Sequence, residues 1–259
     1  MDAANNVVGR VGALLRALSG EEPGGASTTL LAARTGLARP TAHRMLSSLM
    51  AEGLTDRDPA NGNWHLGPEI YILGMAASSR HDETDAARPA VRRLAQRTGE
   101  SSFFSARRGN ETVCLVREDG SFPIRSHVLY EGIRFPLGVA SAGQVMLAFL
   151  DERERDAYVD ATDLTEAYGP EHSRDRVREH IARTRRDGYA VNPGLIVGGS
   201  WGIGAAVFDP QGNPRFALSI TGIEARLAPP RLHQLGRLLL QEAHDLTIRI
   251  AERRGGRTG

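Results

Sequence analysis

The sequence predicts an α+β protein in which an N-terminal winged helix-turn-helix precedes a larger α/β domain. Three observations support this fold class. Apolar residues at helical spacing mark short helices near the N-terminus, and a turn-forming Asn-Gly pair follows the third of them. Strand and helix signals then alternate to the end of the chain. At 259 residues the chain is long enough for two modest domains.

The first three helices are indicated by apolar periodicity and by the residues that interrupt it. Residues 7–18 carry apolar side chains at i, i+3, i+4, i+7 spacing. A second helix is expected to begin at Ser27 or Thr28, which are residue types that cap helix N-termini, and to end before Gly36. Pro40 suits the first turn of a third helix that continues to about residue 52. Two short helices joined by a tight glycine-containing turn are typical of a helix-turn-helix.

The third helix has an apolar stripe and, opposite it, a face of small hydroxyls, an imidazole and a guanidinium. Such a face suits base edges and phosphates better than the Glu/Lys mixture of a merely solvated helix does. Three arginines and no acid lie between residues 34 and 48, although residues 1–66 are neutral overall. Asn61-Gly62 then predicts a positive-φ turn between strands at 54–58 and 63–66. That hairpin would be the wing.

The second part of the chain alternates strand and helix signals. The charged segment SRHDETD, between helices expected at 68–79 and 85–96, is the predicted domain boundary. Further strands are predicted at 101–106, 112–117, 122–129, 189–192, 201–208 and 215–221. Further helices are predicted at 141–150, 151–160 and 173–187, with a long closing helix that contains residues 232–250.

Composition argues against several classes of protein and site. The sequence has no long uncharged apolar run, so we expect no membrane span. The N-terminal residues MDAANNVVGR lack the features of a secretory signal, which predicts a cytoplasmic location. Cys114 is the only cysteine, and the eight histidines show no metal-ligand spacing. We therefore expect no intrachain disulfide, no metal site and no cofactor, with Cys114 as a small buried residue on a strand.

One short motif raises an enzymatic alternative. Residues 198–202 fit G-x-S-x-G, the nucleophile elbow of α/β-hydrolases, with Ser200 as the nucleophile. That elbow needs a helix after the serine, whereas the residues that follow here resemble a strand. A triad would also take its acid and base from the last part of the chain, from Glu224 or Glu242 and His233 or His244. We therefore expect no catalytic residue, and interpret Gly-Gly-Ser as a loop that lets the backbone approach a ligand.

Four blocks of sequence together resemble the IclR family of bacterial regulators. They are TAHRMLSSLMAEGLTDRDPANGNWHLGPEIYILG, GIRFPLGVASAGQVMLAFL, RRDGYAV and IGAAVFDPQGNPRFALSITG. In this order they resemble the family's DNA-binding half, its loop-plus-helix segment and the paired strands of its effector domain, over most of residues 7–250. The resemblance implies a winged helix-turn-helix at 1–67, a linker helix at 68–82, and a GAF-like α/β domain at 83–259 for effector binding and oligomerisation.

The resemblance further implies a homodimer or homotetramer that binds double-stranded DNA at a pseudo-palindromic operator. The third helix would lie in the major groove, with the wing near the backbone or minor groove. The expected DNA contacts, position by position, are Thr28, Arg39, Thr41, His43, Arg44, Ser47, Ser48 and Asn63. Arg44 could equally hold a phosphate or brace the fold. Asn61, Asn63 and His65 are better explained as turn formers than as base readers.

The resemblance also implies a small-molecule effector in the C-terminal domain. A helix that begins near Ser141 presents free N–H groups, and its dipole favours a carboxylate there. The expected effector-binding residues are Leu129, Leu137, Ser141, Ala142, Gly143, Met146, Asn192, Gly202, Ser219 and Thr221. For Leu129, Leu137 and Met146, a place in the core is the other interpretation.

The chemistry of the effector is suggested by two further features. Asn192 stands where an aspartate is common in the family and could donate to an effector carboxylate, while Gln144 replaces a basic residue. The segment CLVREDGSFPIRSHVLYEGIRFPLG resembles members that govern aromatic catabolism, so an organic acid, and first an aromatic acid, is the hypothesis. A sensor that acts by protein contact alone is the alternative function.

Overall fold

The computed structural model describes residues 6–78, 82–124, 128–229 and 231–255. The chain divides into two compact units, residues 1–82 and 83–259. The first unit is helical with one two-stranded hairpin, and the second contains a six-stranded sheet. The predicted α+β class, with a winged helix-turn-helix first and an α/β domain after it, is confirmed.

The first unit begins with three helices, continues with a hairpin and ends with a fourth helix. Ser27 caps the second helix by accepting a hydrogen bond from the backbone of Leu30. Gly36 ends that helix with φ of +67°, which costs a glycine nothing because it has no Cβ. The elements are α1 (Val7–Ser19), α2 (Thr28–Thr35), α3 (Arg39–Ala51), β1 (Thr55–Arg57), β2 (Trp64–Leu66) and α4 (Pro68–Ser78).

Trp64 lies at the centre of the first unit's core. Its side chain is fully buried, and its indole N–H donates to the hydroxyl of Thr28 at 2.9 Å. The cluster around it takes residues from all three of the first helices, including Leu14, Leu18, Leu31, Ala42 and Leu46. Because Trp64 is also the first residue of β2, one side chain fixes the hairpin to the helices.

The hairpin turn has the predicted positive φ, but at Gly62 and not at Asn61. Among the described residues only glycines have positive φ, so Gly62, at +73°, is left-handed and Asn61 is not. The Asn61 side chain instead accepts a hydrogen bond from the backbone of Asn63, and the backbone N–H of Asp58 donates to the Asn63 carbonyl. A local side-chain-to-backbone bond, which asparagine forms readily, stabilises the turn.

The second unit is built on an antiparallel sheet whose strand order is β5-β4-β3-β8-β7-β6. Its strands are β3 (Ser101–Arg108), β4 (Glu111–Glu118), β5 (Arg134–Pro136), β6 (Ala190–Pro193), β7 (Ser200–Val207) and β8 (Phe216–Ile223). Its α-helices are α5 (Asp82–Thr98), α6 (Ser141–Phe149), α7 (Glu152–Ala161), α8 (Thr165–Tyr168), α9 (Arg174–Asp187), α10 (Glu224–Leu227) and α11 (Arg231–Gly255).

The predicted strand at 122–129 is wrong. Residues 122–124 and 128–129 belong to no strand, and 125–127 lie outside the described residues. Pro123 has no N–H to give to a ladder, and the strand that pairs with β4 is instead Arg134–Pro136. The other predicted helices and strands are present, with ends shifted by a few residues.

The two faces of the sheet carry different cores. Side chains alternate along a strand, so Leu218 and Ile220 of β8 pack towards α5 and α11, whereas Ala217 packs with α6. By the same alternation Ser219 and Thr221 lie on the α6 face. The α6 face is therefore the one that places polar groups of β8 beside the start of a helix.

Glycines in β7 allow α6 to lie directly on the sheet. A Cβ at Gly204 would come within 2.7 Å of the Ser141 carbonyl oxygen. At Gly202 it would come within 3.1 Å of the Ser141 hydroxyl. The first turn of α6 is thus in contact with the backbone of the strand.

We expect Gly204→Ala to lower the free energy of unfolding by about 1–3 kcal/mol, because the added methyl forces apart a packed backbone contact. Gly198→Ala is the matched control, since nothing lies within 4 Å of its Cβ and its φ is not left-handed. Urea unfolding of both variants measures the difference. Equal stability of the two variants would show that α6 does not depend on this contact.

Candidate functional site

The exposed face of α3 carries two arginines at its start and middle. Arg39, His43 and Arg44 are exposed, and Thr41 is half-buried beside them. Within the described part of the chain neither arginine forms an ion pair. The opposite face of the helix buries Ala42, Leu46 and Leu49 in or against the core. The helix therefore presents uncompensated positive charge and hydrogen-bond donors to the outside.

The serines of α3 are less open. Ser47 is half-buried, and the exposed Ser48 donates its hydroxyl hydrogen to the carbonyl oxygen of Arg44 at 3.0 Å. The arginine cluster is also smaller than the sequence predicts. Arg34 pairs with Glu21 at 2.6 Å, so its charge is already compensated. The cluster consists of Arg39 and Arg44.

Thr28 has a structural role in place of the expected DNA contact. Its side chain is buried, with 7% exposed. Its hydroxyl accepts the hydrogen bond from the buried indole of Trp64. A hydroxyl so placed satisfies a buried donor and is closed to a ligand from outside.

Two residues of the wing are relevant to DNA binding: Asn63, which was predicted, and Arg57, which was not. Asn63 donates from its side-chain amide to the Gly24 carbonyl at 3.3 Å, which favours its interpretation as a turn former. Arg57 is exposed on β1, with its guanidinium 5.3 Å from the centroid of the Trp64 ring. Its Nε donates to the Gly62 carbonyl at 3.2 Å. The position of Arg57 in a predicted strand of the wing was the sequence feature that could have indicated this residue.

A small cavity lies in the second unit where α6 begins. Its volume is about 20 Å³, roughly the space of one water molecule. Five of the ten residues predicted for the effector line it, namely Leu129, Ser141, Asn192, Gly202 and Thr221. Five further residues line the cavity, and none of them is among the residues predicted to bind the effector. They are Val128, Ala140, Ile196, Ser200 and Trp201.

The other five predicted residues lie behind this wall. Leu137, Ala142 and Met146 are in the core cluster around α6, so the core interpretation holds for Leu137 and Met146. Gly143 faces another segment of the backbone and not a ligand, since a Cβ there would lie 3.2 Å from the Pro136 carbonyl oxygen. Ser219 is fully buried and pairs in register with Gly204. It therefore lies deeper in the sheet than the residues that line the cavity.

Several buried polar groups near the cavity lack a hydrogen-bond partner within the described residues. These are the hydroxyls of Ser219 and Thr221 and the side-chain carbonyl of Gln144. No side chain caps the first turn of α6, whose N-cap residue is Ala140. Unpartnered buried polar atoms are uncommon because each has lost its hydrogen bonds to water. The cavity therefore combines an available hydroxyl with the positive end of a helix dipole.

Asn192 is more constrained than predicted. Its amide nitrogen donates to the Val139 carbonyl at 2.8 Å, and its side-chain oxygen accepts from the backbone of Leu195 at 2.8 Å. Gln144 donates to the same Val139 carbonyl at 3.3 Å. Asn192 thus ties the loop after β6 to the segment before α6, a bond that an ionised aspartate could not donate.

The arrangement around Ser200 is not that of a hydrolase. Ser200 is the first residue of β7, so a strand follows it where the nucleophile elbow requires a helix. The candidate acid Glu242 pairs with Arg93 at 2.7 Å. The candidate base His233 lies 3.1 Å from the hydroxyl of Tyr189. Glu242 and His233 therefore each have another partner.

Other chemistries have little support among the described residues. Burial, and then the charge of Glu131, raises the pKa of Cys114 to about 12, so its thiol is protonated at neutral pH and unreactive. No group of three metal-ligating side chains occurs in the described ranges. No helix there has both the length and the apolar character that crossing a bilayer requires.

Two family models match the chain. The IclR helix-turn-helix domain matches residues 7–59, and the bacterial transcriptional regulator IclR C-terminal domain matches residues 75–248. Together they include α3, the first strand of the wing and the cavity. Both are domains of regulators, not of enzymes.

Relatives and solved structures agree with these matches. The transcriptional regulator KipR of Bacillus subtilis is 27% identical over 226 residues, 87% of this chain and 88% of its own. The repressor AllR of Escherichia coli K12 is 29% identical over 233 residues, 89% of this chain and 85% of its own.

Among solved structures, the IclR regulator of Alicyclobacillus acidocaldarius has a TM-score of 0.79 at 22% identity, covering 94% of this chain and 98% of its own. An IclR homologue of Microbacterium hydrocarbonoxydans complexed with 4-hydroxybenzoate has a TM-score of 0.76 at 21% identity, covering 95% and 99%. This chain belongs to the IclR family of bacterial transcriptional regulators.

Proposed function

We propose that this regulator binds a pseudo-palindromic operator in double-stranded DNA as a homodimer or homotetramer, under the control of a small organic acid. Residues 1–67 would bind DNA, 68–82 would link the domains, and 83–259 would bind the effector and oligomerise. The observation that carries the proposal is the exposed face of α3, where Arg39 and Arg44 have no ion-pair partner among the described residues.

The proposed DNA contacts follow from position on α3. Residues near the start of a recognition helix reach base edges in the major groove, so Arg39, Thr41 and His43 are assigned to direct readout. Arg44 lies one turn later and is assigned to a phosphate. Ser47 and Ser48 contribute hydroxyls beyond it, and Arg57 of the wing contacts the backbone or minor groove, with Asn63 supporting the turn.

Association of two copies fits a further feature of the first unit. Tyr71, Ile72, Leu73 and Met75 of α4 are each more than half exposed. Several large apolar side chains exposed on one short helix are typical of an association surface. Two recognition helices in successive major grooves then lie about 34 Å apart, which requires two half-sites.

The effector cavity suits a carboxylate held at the start of α6. The uncapped N–H groups of α6 favour an anion, and the Thr221 hydroxyl offers one further hydrogen bond. The homologue that binds 4-hydroxybenzoate supports an aromatic acid as the first candidate. A ring-sized acid does not fit a volume of about 20 Å³, so the loop residues Leu129 and Ile196 must move to admit it.

Arg39→Ala or Thr41→Ala should weaken specific operator binding by roughly 1–3 kcal/mol where a base edge is contacted. The measurement is operator affinity against affinity for unrelated DNA of equal length, at one salt concentration. Arg34→Ala is the matched control, because Arg34 is paired with Glu21. We expect it to leave the ratio of the two affinities unchanged.

Two outcomes would count against these assignments. A footprint without two related half-sites would contradict the pseudo-palindromic operator. An unchanged ratio of specific to non-specific affinity in the Arg39 or Thr41 variant would remove that residue from base readout.

Thr221→Val should weaken effector binding about tenfold while leaving stability unchanged, because the hydroxyl it removes has no partner among the residues that the structure describes. The test is the effector-dependent change in operator binding, over a panel of aromatic and aliphatic acids that includes 4-hydroxybenzoate. Chemical unfolding of the same variant measures its stability.

Ser102→Ala is the matched control for this prediction. The Ser102 hydroxyl donates to the Val91 carbonyl at 2.9 Å, on the opposite face of the sheet. Its loss should cost about 1 kcal/mol of stability and leave the effector response intact. If Thr221→Val instead loses stability and keeps the response, its hydroxyl is structural.

A further inference from the structure

A second and larger cavity lies at the outer edge of the sheet, beside β6. Its volume is about 250 Å³, and its wall is formed by α9, β6, β7 and the start of α11. We call it the β6-edge cavity. Apart from Trp201, none of its lining residues lines the cavity at the start of α6. The two cavities are therefore separate places in the same unit.

One side of the β6-edge cavity is apolar and firmly packed. Val191 and Trp201 are half-buried against the core on the α11 face of the sheet. Leu232 of α11 and Tyr189 are buried beside them, and the Tyr189 hydroxyl lies 3.1 Å from Nδ1 of His233. Flat aromatic side chains next to aliphatic ones make a wall suited to a ring.

The other side of the cavity offers an imidazole and a guanidinium from one face of α9. His180 is buried, with 7% exposed, and its Nδ1 has no hydrogen-bond partner among the described residues. Arg183, one turn later, lines the cavity, is exposed, and makes no ion pair with any described side chain. Asp187 also lines the cavity but is paired with Arg186 at 3.0 Å. The charge that remains available there is positive.

The state of His180 narrows the chemistry further. Burial, more than the nearby charge of Arg183, lowers the pKa of His180 to about 4. At neutral pH the imidazole is therefore uncharged, and Nδ1 can donate or accept one hydrogen bond according to its tautomer. The full positive charge for an anion must come from Arg183, with His180 adding a directional contact deeper in the wall.

We propose that the β6-edge cavity is a second small-molecule site, which binds a small aromatic carboxylate. The ring lies against Trp201 and Leu232. The carboxylate pairs with Arg183, and a rotation of the His180 ring turns Nδ1, which is closed off and unpartnered among the described residues, towards an oxygen of the ligand. A single ring with one carboxyl group fits the volume of about 250 Å³. The proposal stands independently of the effector assigned to the cavity at the start of α6.

The test uses the full chain labelled with 5-fluorotryptophan and titrated with benzoate. The chain has two tryptophans, so ¹⁹F NMR gives two signals. The Trp201 signal is assigned by its loss in Trp201→Phe. Benzoate should shift the Trp201 signal and leave that of Trp64, which is buried in the first unit, in place.

Substitutions separate the β6-edge cavity from the cavity at the start of α6. Arg183→Gln should weaken benzoate binding about tenfold, because a charge-assisted hydrogen bond is lost. His180→Phe, which keeps the ring volume and removes Nδ1, should weaken it as well. Arg176→Gln is the matched control on the same helix, since Arg176 pairs with Glu179 at 2.8 Å and does not line the cavity. It should bind as the parent chain does.

Three results would overturn the proposal. The first is a Trp201 signal that does not move at millimolar benzoate. The second is a shift that Thr221→Val abolishes and Arg183→Gln leaves intact, because the benzoate then occupies the cavity at the start of α6. The third is a change in sedimentation coefficient on Arg183→Gln without a change in benzoate affinity, which would make this edge an interface between copies. Arg183 is exposed, so its variant is expected to fold even where His180→Phe does not.

Discussion

The contact between the first turn of α6 and the glycines of β7 is the constraint on which the effector cavity depends. A Cβ at Gly202 would lie 3.1 Å from the Ser141 hydroxyl, and one at Gly204 would lie 2.7 Å from the Ser141 carbonyl oxygen. The helix N-terminus can lie on the strand because these two positions have no side chain. That closeness sets the Ser141 backbone beside Thr221 of the neighbouring strand. The amides of Asn192 and Gln144 then hold the preceding segment through one carbonyl, that of Val139. The geometry of this cavity is a consequence of how backbone packs on backbone.

In the first unit, one large side chain, that of Trp64, fixes a short hairpin to the helices. The hairpin has only three residues in each strand, too few to hold its position by pairing alone. Trp64 compensates by filling the core between three helices and by donating its indole hydrogen to Thr28. This pair joins the wing to α2, and the buried Thr55 hydroxyl joins it to α3 by donating to the Leu46 carbonyl at 2.9 Å. The Arg57 guanidinium lies over the same Trp64 ring. The bond to Trp64 explains why Thr28, at the start of α2, has a role inside the fold.

Helices and strands with strong local signals were predictable, whereas features that depend on tertiary contacts were not. Ser27, Gly36 and Pro40 mark the ends of α2 and α3 by local chemistry, and the structure follows them. The segment after β4 was mistaken for a strand, because its apolar residues carry no sign that Arg134–Pro136 takes that place in the sheet.

The candidate site shows the same limit. Ser141, Gly202 and Thr221 line the cavity as expected, because helix starts and strand alternation place them. Gly143 does not line it, since the open side of a glycine can face a ligand or, as here, another stretch of chain. Trp201 was not selected, because the significance of its ring depends on α9 and α11, which are distant in sequence. Local patterns define elements, and only packing decides which of their faces meet.

The small volume of the cavity at the start of α6 bears on how an effector can regulate. A ligand shifts an equilibrium only by its difference in affinity for the two states, and one that fits both equally shifts nothing. A ring-sized acid does not fit about 20 Å³, so it binds only an arrangement in which Leu129, Ile196 or the Asn192–Val139 bond has moved. In exchange it supplies a partner to the Thr221 hydroxyl, which lacks one within the described residues. In the proposed function, the tight cavity would make the affinity of the acid depend on conformation, which is the property that an allosteric site requires.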